Sequence, residues 1–147
     1  ALQQVALDYD YIFIDCPPSL GLLTVNALCA ADCVVVPLQC EFYALEGLSQ
    51  LMRTINMVRL GLNKDLLVQG IVLTMYDSRN KLSEMVANDV RSHFGKLVYT
   101  TVIPRNVRIS EAPSFGQPVL IYDLKCAGAQ AYVALAAELL SQEKEAA

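Results

Sequence analysis

Five short segments of the chain are almost continuously apolar and rich in β-branched or aromatic residues. This composition is typical of strands that are covered on both faces of a sheet. The segments are "YIFID" (11–15), "CVVVPL" (33–38), "GIVLTMY" (70–76), "LVYTTVI" (97–103) and "VLIY" (119–122). We therefore predict one strand at each of these positions.

Between these segments, apolar residues recur at steps of three and four positions, which indicates amphipathic helices. Helices are predicted near residues 43–62, over 81–94 with Gly95 as the C-terminal cap, and over about 127–142 before a solvated tail. Alternating strands and helices predict a parallel sheet with right-handed crossovers. The predicted fold class is therefore α/β, a mostly parallel sheet flanked by helices.

The size and composition of the chain indicate one folded unit. It has 147 residues, of which 54% are hydrophobic and 18% are charged, which is enough for a substantial core. No apolar run approaches the roughly 20 residues of a transmembrane helix. The N-terminus lacks the basic leader and apolar core of a signal peptide. We expect a cytoplasmic protein without a membrane partner.

The charge and the cysteine content disfavour two classes of function, a uniformly basic nucleic-acid-binding protein and a metalloprotein. The formal net charge of −4 argues against a uniformly basic surface for nucleic acid, although it allows a local patch around Arg79 and Lys81. The five cysteines are interpreted as reduced thiols, most of them in the core. Without a C-x-x-C pair, and with a single histidine, they do not favour a metal site.

The stretch "YDYIFIDCPPS" (9–19) ends its apolar segment on Asp15 and continues into Pro17 and Pro18. Ligands of open α/β sheets bind beyond the carboxyl ends of strands, so Asp15 is a candidate site residue. A carboxylate on a rigid strand end suits Mg²⁺ beside a triphosphate, and the prolines stiffen the loop behind it. Alternatively, Asp15 caps a helix beginning near residues 19–20 or points into solvent.

Four segments carry a resemblance to a known family. The segments "YDYIFIDCPPSLGLLTVNAL", "VPLQCEFYALEGLSQL", "LTMYDSR" and "VIPRNVRISEAPSFGQPV" resemble, in this order, the ParA/Soj partitioning ATPases of the ParA–MinD group. The resemblance covers essentially the whole chain. It implies a P-loop NTPase-like fold with ATP and Mg²⁺ as cofactors. It also implies an ATP-dependent homodimer that binds DNA non-specifically at the nucleoid, with a ParB-like partner, in chromosome or plasmid segregation.

The resemblance assigns roles at the phosphate end of the nucleotide. Asp15 matches the Walker-B aspartate, which holds Mg²⁺ through water, and Cys16, Pro17 and Pro18 match the switch that senses the γ-phosphate.

The resemblance also assigns a base-binding loop. Pro104, Arg105 and Asn106 match the adenine-side loop of the family, and Thr74 and Met75 are expected to line the same pocket. An asparagine amide can pair with the edge of a base, and a proline ring can pack on its face. The alternative is an ordinary turn in which Asn106 caps a short helix.

Arg79 matches an arginine that the family uses on DNA, and Lys81 adds a second cation nearby. Contacts between such side chains and phosphate are independent of base sequence and sensitive to salt. The alternative is that Arg79 is a solvated charge beside Asp77.

The Walker-A motif of the family, G-x-x-x-x-G-K-[ST], begins at none of the seven glycines. In the family this motif lies N-terminal to the segments that match here. We therefore interpret residues 1–147 as a single partial domain that runs from Walker B to the C-terminal helix, with the N-terminal strands missing. Because the phosphate cradle is absent, we expect the isolated chain to be inactive.

Three other functions stay open at this point. The first is a non-catalytic interaction module, favoured by the missing motif. The second is a MinD-like membrane-associated ATPase, which the acidic end "AAELLSQEKEAA" disfavours. The third is an iron–sulfur reductase of the same group, which would require cysteines from two subunits to converge.

Overall fold

The computed structural model describes residues 2–17 and 21–146. We number its helices and strands in chain order. They are α1 (Leu22–Ala30), β1 (Cys33–Gln39), α2 (Ala44–Gly61), β2 (Leu67–Tyr76), α3 (Lys81–Phe94), β3 (Val98–Pro104), α4 (Val107–Glu111), α5 (Val119–Tyr122) and α6 (Ala127–Ala146). Three short 3-10 turns lie at Leu2–Gln4, Gly95–Leu97 and Ala112–Phe115.

The three strands form one parallel sheet in the order β1-β2-β3. This confirms the α/β class and the strands predicted at 33–38, 70–76 and 97–103. It also confirms the parallel arrangement inferred from alternating strands and helices. The central strand, β2, is buried over Gly70–Leu73, which explains why its sequence is almost continuously apolar rather than alternating.

The two faces of β2 pack against different helices. Ile71 and Leu73 lie in a core cluster with α2 and α3, whereas Val72 lies on the other face with β3 and α6. Residues one position apart on a strand point to opposite faces. The sheet is therefore covered on both sides, as the apolar pattern predicts.

The three predicted helices are confirmed, but the solvated tail predicted after about residue 142 is wrong, because α6 continues through Ala146. The ends of α3 have local causes. The Asn80 side chain accepts a hydrogen bond from Leu82 N (3.0 Å) and caps the start of α3. Gly95 follows the last residue of α3 with a φ of +53°, a conformation that glycine adopts at little cost. The sequence therefore specifies both ends of this helix.

The strand predicted at 119–122 is wrong, because this segment is the helix α5. Pro118 has a φ of −68° before the helix, and its carbonyl accepts hydrogen bonds from Ile121 N and Tyr122 N. Four apolar residues are too few for periodicity to separate a strand from a helix.

The strand predicted at 11–15 is also wrong for the described structure. Residues 11–17 are irregular, and the side chains from Tyr11 to Ile14 are at least 42% exposed. A strand exists only when a neighbour supplies ladder hydrogen bonds, and within the described residues β1 pairs with β2 alone. A run of apolar residues does not by itself provide that neighbour.

The cysteines are less buried than predicted. Cys40 is buried and Cys126 is half-buried, but Cys16, Cys29 and Cys33 are exposed, and none of the five forms a disulfide. Burial raises the pKa of the Cys40 thiol above its ordinary value. The prediction of core thiols therefore holds for Cys40 and is wrong for the three exposed cysteines, which lie in an irregular segment (Cys16), in α1 (Cys29) and at the first position of β1 (Cys33).

Candidate functional site

The carboxyl ends of the three strands meet at one edge of the sheet. Gln39 at the end of β1 pairs with Thr74 in β2, and Tyr76 at the end of β2 pairs with Pro104 in β3. Beyond this edge lies a cleft of about 230 Å³. Its walls are Pro37, Gln39, Thr74, Met75, Ile103, Pro104, Asn106, Ile109, Ser110 and Tyr132.

A second depression of about 290 Å³ adjoins the cleft and shares Met75, Asn106 and Ser110 with it. Arg105 and Val107 complete its lining. Pockets for small molecules usually measure about 300–1,000 Å³. The two depressions are therefore each suited to part of a ligand, such as a flat base, rather than to a whole nucleotide.

The five residues predicted for the base-binding pocket are thus brought together. Thr74, Met75, Pro104 and Asn106 line the cleft, and Arg105 lines the adjoining depression. Backbone hydrogen bonds hold this edge in place: Arg105 N donates to Tyr76 O at 2.9 Å, and Cys40 N donates to Thr74 O at 3.1 Å. The loops that follow β1 and β3 are therefore both anchored to β2.

Met75 has an unusual backbone conformation at this edge. Its φ is +53°, the only positive value of a non-glycine residue in the part of the chain that the structure describes. The pairing of β2 with β3 is irregular between Leu73 and Tyr76, so Met75 lies in a bulge. A left-handed conformation is costly for a residue with a long side chain and is most often retained at binding sites.

Asn106 has two functional groups with different surroundings. Its Oδ1 atom accepts a hydrogen bond from Arg108 N at 2.9 Å and caps α4. The interpretation of Asn106 as a helix cap is therefore confirmed. The side-chain NH₂ group has no hydrogen-bond partner among the described residues, and Asn106 lines the cleft, so this group is available as a donor to a ligand.

Arg79 is paired within its own loop. Its guanidinium donates through Nε and Nη2 to the two carboxylate oxygens of Asp77, each at 3.0 Å, and Arg79 N donates to Asp77 Oδ1. These hydrogen bonds lower the pKa of the Asp77 carboxyl and raise the pKa of Arg79. The Arg79 side chain is 88% exposed, so it can reach a polyanion, but Asp77 competes for it.

Lys81 is exposed and is the first residue of α3, directly after the capping residue Asn80. It lies two positions from Arg79, so the two cations share one loop-to-helix junction. The alternative interpretation of Arg79, a charge beside Asp77, describes its contacts correctly.

Asp15 and Pro17 are exposed residues of the irregular segment 11–17, and neither lines the cleft. Pro18 lies outside the described residues. The first long helix begins at Leu22 with Gly21 at its N-cap and without a side-chain cap, so the interpretation of Asp15 as a helix cap is wrong. The described residues contain no cluster of three or more histidine, cysteine or acidic side chains that could hold a metal ion.

Several residues of the cleft were not predicted from the sequence. Gln39 could have been found, because it directly follows an apolar strand and therefore lies at the carboxyl edge of the sheet. Ile109, Ser110 and Tyr132 carry no such local signal. Tyr132 belongs to α6, far along the chain, and only the packing of α6 on β3 brings it to the cleft.

Comparison with solved structures defines the class of protein. The chain matches a cobyrinic acid a,c-diamide synthase from Mycobacterium smegmatis with a TM-score of 0.78 at 39% identity, over 99% of this chain and 53% of that one. A structure described as the same enzyme with bound ADP and magnesium matches with a TM-score of 0.65 at 46% identity, over 73% of this chain and 44% of that one. The cell division ATPase MinD of Pyrococcus furiosus, 23% identical, has the same fold with a TM-score of 0.74, over 99% of this chain and 56% of that one. The fold is that of the P-loop NTPases.

Comparison with curated proteins gives relatives that match most of this chain. The chain is 70% identical over 137 residues to the chromosome partitioning protein ParA of Caulobacter vibrioides, covering 93% of this chain and 51% of that protein. It is 57% identical to the sporulation initiation inhibitor protein Soj of Bacillus subtilis, covering 95% and 55%. It is 49% identical to the chromosome-partitioning ATPase Soj of Thermus thermophilus, covering 99% and 59%. A family model described as an AAA domain matches residues 1–68.

The chain is therefore a homologue of the ParA/Soj chromosome-partitioning ATPases. It spans about half the length of the curated relatives that it matches. Within the described residues, no helix is both long and apolar enough to cross a membrane.

The described residues fit one end of ATP. Apolar walls from Pro37, Ile103 and Pro104 suit the faces of a base, and the free Asn106 NH₂ suits an acceptor on its edge. For the phosphate end, the 147-residue sequence has no G-x-x-x-x-G-K-[ST] loop. The described residues therefore offer groups that suit a base, whereas the sequence contains no loop of the kind that holds the phosphates.

Proposed function

We propose that this chain forms the base-binding side of a Mg²⁺-dependent ATPase that partitions chromosomes or plasmids. The supporting observation is that two separate segments of the chain, one with Thr74 and Met75 and the other with Pro104 and Asn106, line one cleft at the carboxyl edge of the sheet. Ligands of open α/β folds bind at this edge. The homology to ParA and Soj supports ATP as the ligand.

The cleft residues bind and orient the base. Pro104 and Met75 pack against its faces, and the Asn106 NH₂ donates a hydrogen bond to an acceptor nitrogen on its edge. The Asn106 oxygen already accepts the hydrogen bond from Arg108 N at the start of α4, so the amide group cannot turn this oxygen towards the base. Asn106 therefore favours a base edge that carries a hydrogen-bond acceptor and disfavours one that carries a donor. When bound, ATP supplies a γ-phosphoryl group whose transfer Mg²⁺ assists.

At the other end of the nucleotide, Asp15 holds Mg²⁺ through water, and Pro17 and Pro18 restrict the loop that senses the γ-phosphate. The intact protein works in the cytoplasm, where ATP binding favours a homodimer. Arg79 and Lys81 of that dimer contact DNA phosphates without sequence preference, and a ParB-like partner stimulates hydrolysis. By itself the 147-residue chain is inactive, because it has no phosphate-binding loop.

The test is an exchange of Asn106 that removes the amide NH₂ group but keeps the cap. Serine is about as good an N-cap as asparagine, so Asn106→Ser in the intact protein preserves α4 and loses the NH₂ group. We expect a three- to tenfold rise, roughly, in the dissociation constant of a ribose-labelled fluorescent ADP, which corresponds to one hydrogen bond.

The matched control is Asn80→Ser, since Asn80 caps α3 with the same geometry but lies outside the cleft. Its affinity for the labelled ADP should equal that of the parent. If Asn106→Ser also binds as the parent does, the cleft does not read the base and the proposed function is wrong.

A further inference from the structure

The start of α6 comes unusually close to the loop that carries Asn106. A β-carbon added at Gly128 would lie 2.4 Å from Ile109 Cδ1, 2.6 Å from Ile109 Cγ1 and 3.3 Å from Asn106 Cβ. The first two distances are shorter than real carbon contacts. The absence of a side chain at residue 128 is therefore what allows α6 and α4 to pack together.

The two residues that Gly128 approaches both line the cleft. Ile109 also packs against the buried cluster of Val72, Tyr99 and Ile103, on the face of the sheet that α6 covers. Ile109 thus lies between α6 and the sheet. Ile109 Cγ1 is bonded to Cβ, so it moves away from a larger residue at 128 only by rotation about χ1, which disturbs this cluster, or by a movement of α4.

The helix that would move has little stability of its own. α4 has five residues, whereas isolated helices shorter than about 12–15 residues are marginal in water. Its start is fixed by the Asn106 cap, and the loop before it by the hydrogen bond from Arg105 N to Tyr76 O. The position of α4 is therefore determined by packing rather than by helix propensity.

The start of α6, in contrast, is well anchored. Cys126 Sγ accepts a hydrogen bond from Ala129 N at 3.3 Å, and Gln130 Nε2 donates to Leu124 O at 2.7 Å. Ala129 is completely buried. When a larger residue at 128 overpacks the contact between the two helices, we expect α4 to move rather than α6.

We propose that Gly128 is a positioning residue for the cleft: it sets the place of α4, and through α4 the direction of the Asn106 NH₂ group. This inference rests on the proposed function for its link to nucleotide, but its structural part stands on the contacts alone. A methyl group at 128 displaces α4 and turns Asn106 away from the base.

The test compares Gly128→Ala with the parent in the intact protein by two readouts. One is the dissociation constant of ribose-labelled fluorescent ADP, which we expect to rise about tenfold because the Asn106 NH₂ group is no longer directed at the base. The other is the backbone amide resonance of Arg108, which reports the hydrogen bond to Asn106 and needs no nucleotide. We expect it to shift in Gly128→Ala.

Two further variants separate positioning from a general effect on the helix. Alanine at a helical position is intrinsically favoured over glycine. Gly47→Ala in α2 makes the same exchange where an added β-carbon meets nothing within 4 Å, and it should change neither readout. Adding Ile109→Ala to Gly128→Ala removes both atoms of the closest contacts, so the double variant should regain most of the affinity and the Arg108 resonance.

The outcomes are distinct. If the Arg108 resonance of Gly128→Ala matches that of the parent, or if Ile109→Ala fails to restore it, Gly128 does not position α4 and the inference is overturned. If the parent binds no labelled ADP, the proposed function fails, while the Arg108 resonance still decides whether Gly128 sets the position of α4.

Discussion

Gly70 in β2 lies against the ring of Tyr99 in β3, so closely that a β-carbon at Gly70 would be 2.4 Å from Tyr99 Cε2 and 2.9 Å from two other ring atoms. The Tyr99 side chain is 1% exposed, and β3 lies next to β2 in the sheet. The ring fills the space that a side chain at residue 70 would occupy. The absence of a side chain at Gly70 therefore lets the Tyr99 ring pack into the core cluster on the face of the sheet that α6 covers.

We expect Gly70→Ala to lower the free energy of unfolding by about 1–3 kcal/mol, because a buried aromatic ring has to move to admit the methyl group. The measurement is a urea titration followed by circular dichroism. Gly47→Ala is the control, since it adds a methyl group in open space and should not destabilise the protein. An unchanged midpoint for Gly70→Ala would show that the ring moves without cost.

The carboxylate of Glu138 in α6 binds two successive backbone amides of β3. Thr100 N donates to Oε1 at 2.6 Å, and Thr101 N donates to Oε2 at 2.8 Å. β3 has three residues between Val98 and Val102, where β2 has one between Ile71 and Leu73. This bulge takes the amides out of the ladder, and Glu138 satisfies them.

Burial acts to raise the pKa of Glu138, but the hydrogen bonds from Thr101 and Thr100 outweigh it and hold the pKa below the usual 4.5. A carboxyl with a depressed pKa stabilises the fold above its unfolded pKa, and this stabilisation is lost as the pH falls through the folded value. We expect Glu138→Gln to lower the free energy of unfolding by roughly 1–2 kcal/mol near neutral pH. The partial exposure of the side chain keeps this effect small.

The measurement is the unfolding free energy of the parent and Glu138→Gln from pH 7 downward. The difference between them should shrink below about pH 4.5. Glu41→Gln, at an exposed position before α2, serves as the matched control. A difference that stays constant with pH would mean that the charge of Glu138 contributes nothing.

The pairing of Arg79 with Asp77 predicts opposite effects on DNA binding. Arg79→Ala in the intact protein should weaken DNA binding. It should also reduce the slope of log affinity against log salt concentration by about one for each site, as expected for one lost phosphate contact. Asp77→Asn keeps the acceptor for Arg79 N but removes the competing charge, so it should strengthen binding.

Both effects are measured as dissociation constants for a random DNA duplex over a range of salt concentrations. Arg53→Ala removes an exposed arginine from the middle of α2 and should leave the salt dependence unchanged. In the double variant, Asp77→Asn should lose most of its effect once Arg79 is alanine. If Asp77→Asn strengthens DNA binding equally with and without Arg79, Asp77 acts only through the net charge of the protein.

The isolated chain should release no phosphate from ATP above background, because it has no G-x-x-x-x-G-K-[ST] loop to hold the phosphates. The assay is phosphate release with and without Mg²⁺ at saturating ATP. Turnover that requires Mg²⁺ and disappears in Asp15→Asn would contradict this prediction.

The parts of the fold that the sequence predicts are those with a strong local cause. α3 has an apolar stripe, an asparagine cap and a terminal glycine, and β2 is apolar because both of its faces are covered. The predictions of strands at 11–15 and 119–122 are wrong because short apolar runs carry no periodicity. Strand pairing decides the structure of the first segment, and a preceding proline that of the second.

The candidate site likewise has parts that the sequence predicts and parts that it does not. The loop at 104–106 could be placed beside Thr74 and Met75 because the carboxyl ends of parallel strands share one edge. The bulge at Met75, the pairing of Arg79 with Asp77 and the presence of Tyr132 depend on contacts between distant segments. Periodicity and residue type contain no information about such contacts.

The order of the sheet has a consequence for how the chain folds. β1 pairs with β2, and β2 with β3, and each pair is separated in the sequence by a complete helix. Closing these loops costs chain entropy before any strand contact forms, whereas α2, α3 and α6 need only local contacts. The topology therefore favours a folding order in which helices precede the sheet. The strand segments then stay unpaired, and most prone to aggregation, until the last step.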